Sequence, residues 1–113
     1  MGKIQNMRQY YDIKRNLDVI RSTSKNPYIT RYTKYILNDL DIILNINLGQ
    51  NNYLVMKDNI NTMFSHLWSK HQVFDHDPEL EDMVHDAFCG VRESLQVIFN
   101  YYDEIYHYDN TII

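Results

Sequence analysis

Apolar side chains recur every three or four positions along nearly the whole chain, the spacing that gathers them on one face of an α-helix. In the first segment Met7, Tyr10, Ile13, Leu17 and Ile20 form such a stripe, with Lys14, Arg15 and Arg21 lying off it. Ser22-Thr23-Ser24-Lys25 interrupts the pattern as a polar connector. Asn26-Pro27 restarts it, because asparagine offers a side-chain acceptor to the first free amides and proline lacks only an N–H that has no partner there. Ile29, Tyr32, Ile36, Leu40 and Ile43 make the second stripe, and Gly49 is expected to close that helix in the left-handed conformation. The run Ile42-Ile43-Leu44-Asn45-Ile46 would also suit a strand. Helical spacing from Ile29 onward, with no partner strand elsewhere, favours the helix.

In the third segment Tyr53, Met56, Ile60, Met63, Leu67 and His71 step by three and four, and Phe64 and Trp68 widen the stripe. Asp77-Pro78-Glu79 repeats the cap-then-proline signal, with acidic residues where the helix dipole favours them. Leu80, Val84, Phe88, Val91, Leu95, Ile98, Tyr102 and Ile105 form the fourth stripe, and His107 to Ile113 reads as a frayed tail. Gly90 inside this segment costs about 1 kcal/mol relative to alanine, so a neighbouring helix must come close there or the helix must bend. The pattern predicts helices over about 4–22, 27–48, 52–72 and 78–106 in one all-α domain. Short connections point to a four-helix bundle of up-down-up-down topology with a long C-terminal helix.

Composition narrows the class. With 113 residues, 44% apolar and 23% charged, the chain fits one globular domain and not a disordered segment. Cys89 is the single cysteine, so no intrachain disulfide forms. The greasiest stretch, Leu40 to Leu48, is broken by Asp41, Asn45 and Asn47, so no membrane span is expected. Met1 to Asn6 lacks the apolar centre of a secretory signal, and Asn6 stands where a myristoylation motif has Ser or Thr. The expected location is the cytoplasm, or a host-cell interior for a viral protein. Asn, Ile, Tyr and Lys are abundant and Ala87 is the only alanine, a bias that suggests an AT-rich genome of a bacterium, phage, large virus or protozoan. Without alanine, helicity must come from packing more than from intrinsic propensity.

Charge is uneven. Residues 1–35 carry eight Lys/Arg against Asp12 and Asp18, a net of +6, and the remainder carries −10. Either two partner surfaces exist or oppositely charged helices neutralise one another within the bundle; the second is the simpler expectation.

Candidate chemistry is sparse. His71, Asp82 and His85 are the best-spaced metal-ligand set, since Asp82 and His85 lie three apart on one helix. A di-iron bundle needs that carboxylate–histidine pair twice, and it occurs once. Three scattered glycines build no phosphate-binding loop, and no Gly-x-Ser-x-Gly elbow is present. No histidine follows Arg92 before His107, so the Arg-x4–6-His pair of one helical ribonuclease family is missing. No cofactor signature and no catalytic residue are assigned.

Two binding readings remain. The acidic, tyrosine-rich C-terminal segment, with Tyr101, Asp103, Glu104, Tyr106 and Tyr108, suits a protein partner, in particular a basic one, or a second copy of the chain. The expected function is therefore a non-enzymatic inhibitor, adaptor or assembly factor. The alternative is a nucleic-acid-associated regulator using Arg8, Lys14, Arg15 and Arg21 in the basic first third, with tyrosines available for stacking. The acidity of the whole chain, and the position of several tyrosines on or beside the apolar stripes, rank it second.

Overall fold

The computed structural model describes residues 2–24, 26–74 and 78–111, and the side chains of 6–24, 26–71 and 78–106. Four helices follow in order: α1 (Gly2–Thr23), α2 (Pro27–Asn45), α3 (Gln50–Phe74) and α4 (Glu81–Thr111). No strand occurs among the described residues, and the helices form an all-α bundle. Each apolar stripe turns inward. Ile13, Leu17 and Ile20 of α1 meet Ile29, Ile36, Leu40 and Ile43 of α2, Tyr53, Ile60 and Leu67 of α3, and a longer row on α4 from Val84 to Tyr106. Burying each such side chain contributes about 1.5–3 kcal/mol, which outweighs the modest helix propensity of an isoleucine-rich sequence.

The helix ends show where local chemistry wins. Asn26 takes an extended conformation and its Oδ1 accepts the Tyr28 amide at 2.9 Å, the expected cap with Pro27 in the first turn. α2 stops at Asn45, three residues earlier than the spacing predicts, and Ile46 is extended (φ −127°, ψ 136°). Asn45 Nδ2 bonds both the Asp41 carbonyl (2.8 Å) and the Asp41 carboxylate (2.9 Å), a side-chain competitor for the backbone at the last turn. Gly49 does adopt a positive φ of 76°, but it opens α3, since its carbonyl accepts the Tyr53 amide at 3.0 Å. α4 begins at Glu81, after a turn at 78–80, with the Leu80 carbonyl accepting the Val84 amide at 3.0 Å. The expected cap at Asp77 lies outside the described residues. α4 continues to Thr111, so residues 107–111 are helical where a frayed tail was expected.

Packing is unequal around the bundle. α1 lies most extensively against α4 and α2 against α3, while α3 and α4 touch least. Gly90 explains part of the first contact: a Cβ there would sit 2.5 Å from Asn16 Nδ2 and 3.1 Å from Asn16 Cγ. Of the two roles a mid-helix glycine can have, close approach is the one realised. The contact also places the basic helix beside the acidic one, since α1 has five Lys/Arg against two Asp and α4 has seven Asp/Glu against Arg92. Arg15 pairs with Asp12 (2.9 Å) and Arg21 with Asp18 (3.0 Å) on α1 itself, and no ion pair joins α1 to α4 among the described residues. Such exposed pairs contribute only a few tenths of a kcal/mol.

The Asn16–Gly90 contact sets a sign. Gly90→Ala alone should be neutral or destabilising, because the helix-propensity gain of about 1 kcal/mol is spent moving Asn16. In an Asn16→Ala background the same change should stabilise by about 0.5–1 kcal/mol in urea unfolding. Equal effects in both backgrounds would show that Asn16 does not set the spacing.

Candidate functional site

The sparse contact between α3 and α4 has two parts, a polar clamp at one end and an open groove toward the other. The clamp is centred on Tyr53, fully buried in the first turn of α3. Its hydroxyl donates to Asp103 Oδ1 at 2.6 Å, with the Phe99 carbonyl a second acceptor at 3.1 Å. Lys57, one turn further along α3, reaches both Asp103 oxygens at 2.8 and 3.1 Å and lies 5.5 Å from the Phe99 ring centre. Tyr106, three residues past Asp103, stacks on Tyr53 at 4.8 Å, and its hydroxyl accepts the Leu48 amide at 3.2 Å. The α2–α3 connector and helices α3 and α4 are thereby joined through four side chains.

The energetics are led by the phenol. Lys57–Asp103 is partly exposed and contributes roughly 1 kcal/mol or less, whereas a buried hydrogen bond to a charged acceptor contributes about 1.5–3 kcal/mol. Burial raises the Tyr53 pKa, and the hydrogen bond to Asp103 and that residue's negative charge raise it further, well above the ordinary phenol range. The proton is therefore held, and Tyr53 serves as a fixed donor and not as a base or nucleophile. Burial also raises Tyr102, and it raises Tyr10 with help from Asp41.

Beyond the clamp, α3 and α4 leave a groove of about 460 Å³ between them. Phe64 and Trp68 of α3 and Phe88 of α4 form its aromatic walls. Trp68 stands edge-on to Phe88 at 4.8 Å and to His85 at 6.3 Å, and Phe64 lies 5.8 Å from Phe88. His85, Cys89 and Arg92 follow one another at helical spacing along the α4 side, with Cys89 Sγ 3.6 Å from His85 Nε2. Ser65 and Ser69 edge the α3 side.

The residues singled out in the sequence scatter across this framework. Tyr101 and Glu104 are exposed, while Asp103 is half-buried and engaged by Tyr53 and Lys57. Tyr106 belongs to the core at 4% exposure, which corrects its placement on a partner-binding face; Phe99, Tyr102 and Tyr106 simply continue the inward stripe of α4. Ile105, read from its spacing as core, is 39% exposed. The Tyr108 side chain lies outside the described residues. His71 is buried, its ring 5.5 Å from Phe88, while Asp82 and His85 are exposed. Among the described residues no group of three or more His, Cys, Asp or Glu is placed to hold a metal ion. Arg8, Lys14, Arg15 and Arg21 are all exposed on α1. Among the described residues no helix is long and apolar enough to cross a membrane. No protein-family model, curated protein or solved structure matches this chain, so its reading rests on its own residues.

Sequence reasoning missed the clamp, although one signal pointed to it. A tyrosine at the centre of an apolar stripe needs a partner for its hydroxyl, and Asp103 is a carboxylate beside the stripe of another helix. The groove has no comparable signal, because it depends on how far two helices separate.

Tyr53→Phe should cost about 1–3 kcal/mol at neutral pH. Because the folded pKa is raised, the stability contributed by the Tyr53 proton is complete below about pH 10 and is lost as pH rises beyond it. The gap between wild type and Tyr53→Phe in urea unfolding should therefore narrow above about pH 10. A gap that holds constant with pH would show that the phenol is not engaged as described.

Proposed function

We propose that this chain is a non-enzymatic protein–protein interaction module, an inhibitor, adaptor or assembly factor built as an up-down-up-down bundle. The observation that carries the reading is the outward face of α4. Asp82, Asp86, Glu93 and Glu104 are exposed along it, interleaved with exposed Met83, Tyr101 and Ile105. From Asp82 to Ile105 this ridge runs about 35 Å at the helical rise of 1.5 Å per residue. Large apolar and aromatic side chains among charges are what protein interfaces use, the apolar groups for affinity and the charges for steering and choice of partner. An acidic ridge favours a basic partner. A second copy is disfavoured on the ridge itself, where like charges would meet.

The test is capture from extract by the immobilised chain, followed by titration of the retained protein. Tyr101→Ala with Ile105→Ala should weaken binding at least tenfold without changing the circular dichroism spectrum, and added salt should weaken it further. A chain that retains nothing, or a double variant that binds as well as wild type, would refute the reading.

A second reading draws support from particular side chains. Tyr11, Tyr28 and Tyr35 are 59%, 50% and 46% exposed, outside the core that would otherwise account for them. Along α1 and α2 they alternate with exposed Arg8, Lys14, Arg15, Arg21, Arg31 and Lys34, and the Tyr28 ring faces Arg31 and Lys70 at 5.7 and 5.4 Å. Exposed rings among cations suit a single-stranded nucleic acid. Fluorescence anisotropy with a labelled oligonucleotide should then show affinity that falls steeply with salt and with charge reversal at Arg15 and Arg21. Absence of binding at low salt would remove this reading.

A further inference from the structure

We infer that the groove between α3 and α4 binds a small planar aromatic carboxylate, with its ring against Phe64, Trp68 and Phe88 and its carboxylate on Arg92. The volume, about 460 Å³, falls in the range of small-molecule sites, and the space between helices of a bundle is a recurrent place for them. The walls select a ring. Phe88 meets Trp68 at an interplanar angle of 85° and Phe64 at 51°, so a flat guest finds both faces and edges to pack against.

Charge selects the second half of the ligand. Arg92 is the one Lys or Arg on α4, whose other charged side chains, histidines aside, are acidic. It is exposed at the groove and makes no hydrogen bond or ion pair with the described residues. A guanidinium is a rigid fork that matches a carboxylate with two parallel hydrogen bonds, and one left unengaged beside an aromatic wall is complementary to an aromatic acid. His85, four residues before Cys89 and seven before Arg92, faces the same groove and adds a ring nitrogen as a further donor or acceptor. The occupant is a small molecule and not an acidic peptide, because Asp82, Asp86 and Glu93 are exposed along the same helix and would repel an extended anionic chain.

Trp68 is the only tryptophan, so its emission reports from inside the groove. trans-Cinnamate, which is planar, and its neutral isostere trans-cinnamamide, titrated by calorimetry with Trp68 emission followed in parallel, separate the ring from the charge. The carboxylate should bind saturably, change Trp68 emission and exceed the carboxamide by at least tenfold. Arg92→Gln, at an exposed position that leaves the fold intact, should abolish that preference while leaving carboxamide affinity unchanged. No saturable change at Trp68, equal affinity for the two compounds, or an Arg92→Gln variant that keeps the preference would each overturn the assignment. So would displacement of the carboxylate by an acidic aromatic peptide at a lower concentration than the free acid requires.

Discussion

Four helices that are weak on their own must bury one apolar stripe each in a shared interior, and the rest of the molecule is arranged around that constraint. Isoleucine recurs in the buried set on every helix, from Ile13 and Ile20 through Ile29, Ile36, Ile43 and Ile60 to Ile98. Such residues are stiff and only modest helix formers, so the bundle is held by tertiary burial more than by local preference. Gly90 follows from the same constraint. It gives up helix propensity so that Asn16 can lie against the α4 backbone.

The weaker α3–α4 contact is where polar chemistry takes over. At one end Tyr53, Lys57, Asp103 and Tyr106 hold the helices through directed bonds, including the hydroxyl of Tyr106 on the Leu48 amide of the preceding connector. Further along the same pair of helices, the aromatic groove stands open beside Arg92. The same helix, α4, thus carries the core on its inward face, the clamp and groove on its α3 flank and an acidic ridge outward. Such segregation by face is what an amphipathic helix permits, because residues separated by about 100° of turn meet different surroundings.

The sequence foretold much of the architecture and little of the site. Number and order of helices were legible because period-three-and-four burial survives any detail of packing. The Asn26-Pro27 start was legible because capping is local. The end of α2 was misjudged because Asn45 turns its side chain onto Asp41, and the start of α4 because Pro78 sits in a turn and not in the first helical turn. The acidic tyrosine-rich segment looked like one face in sequence, yet helical geometry sends Tyr106 inward, Asp103 toward α3 and Tyr101 with Glu104 to solvent. Clustering along a chain is not clustering on a surface.

A buried tyrosine clamp joins α3 and α4 within one shared core. Nuclear Overhauser spectroscopy of the folded chain reads this contact. Strong cross-peaks should link the Tyr53 ring to the Tyr106 ring, whose centres lie 4.8 Å apart, together with a slowly exchanging Leu48 amide. A Tyr53 ring with solvent-like shifts and no contact to α4 would contradict it.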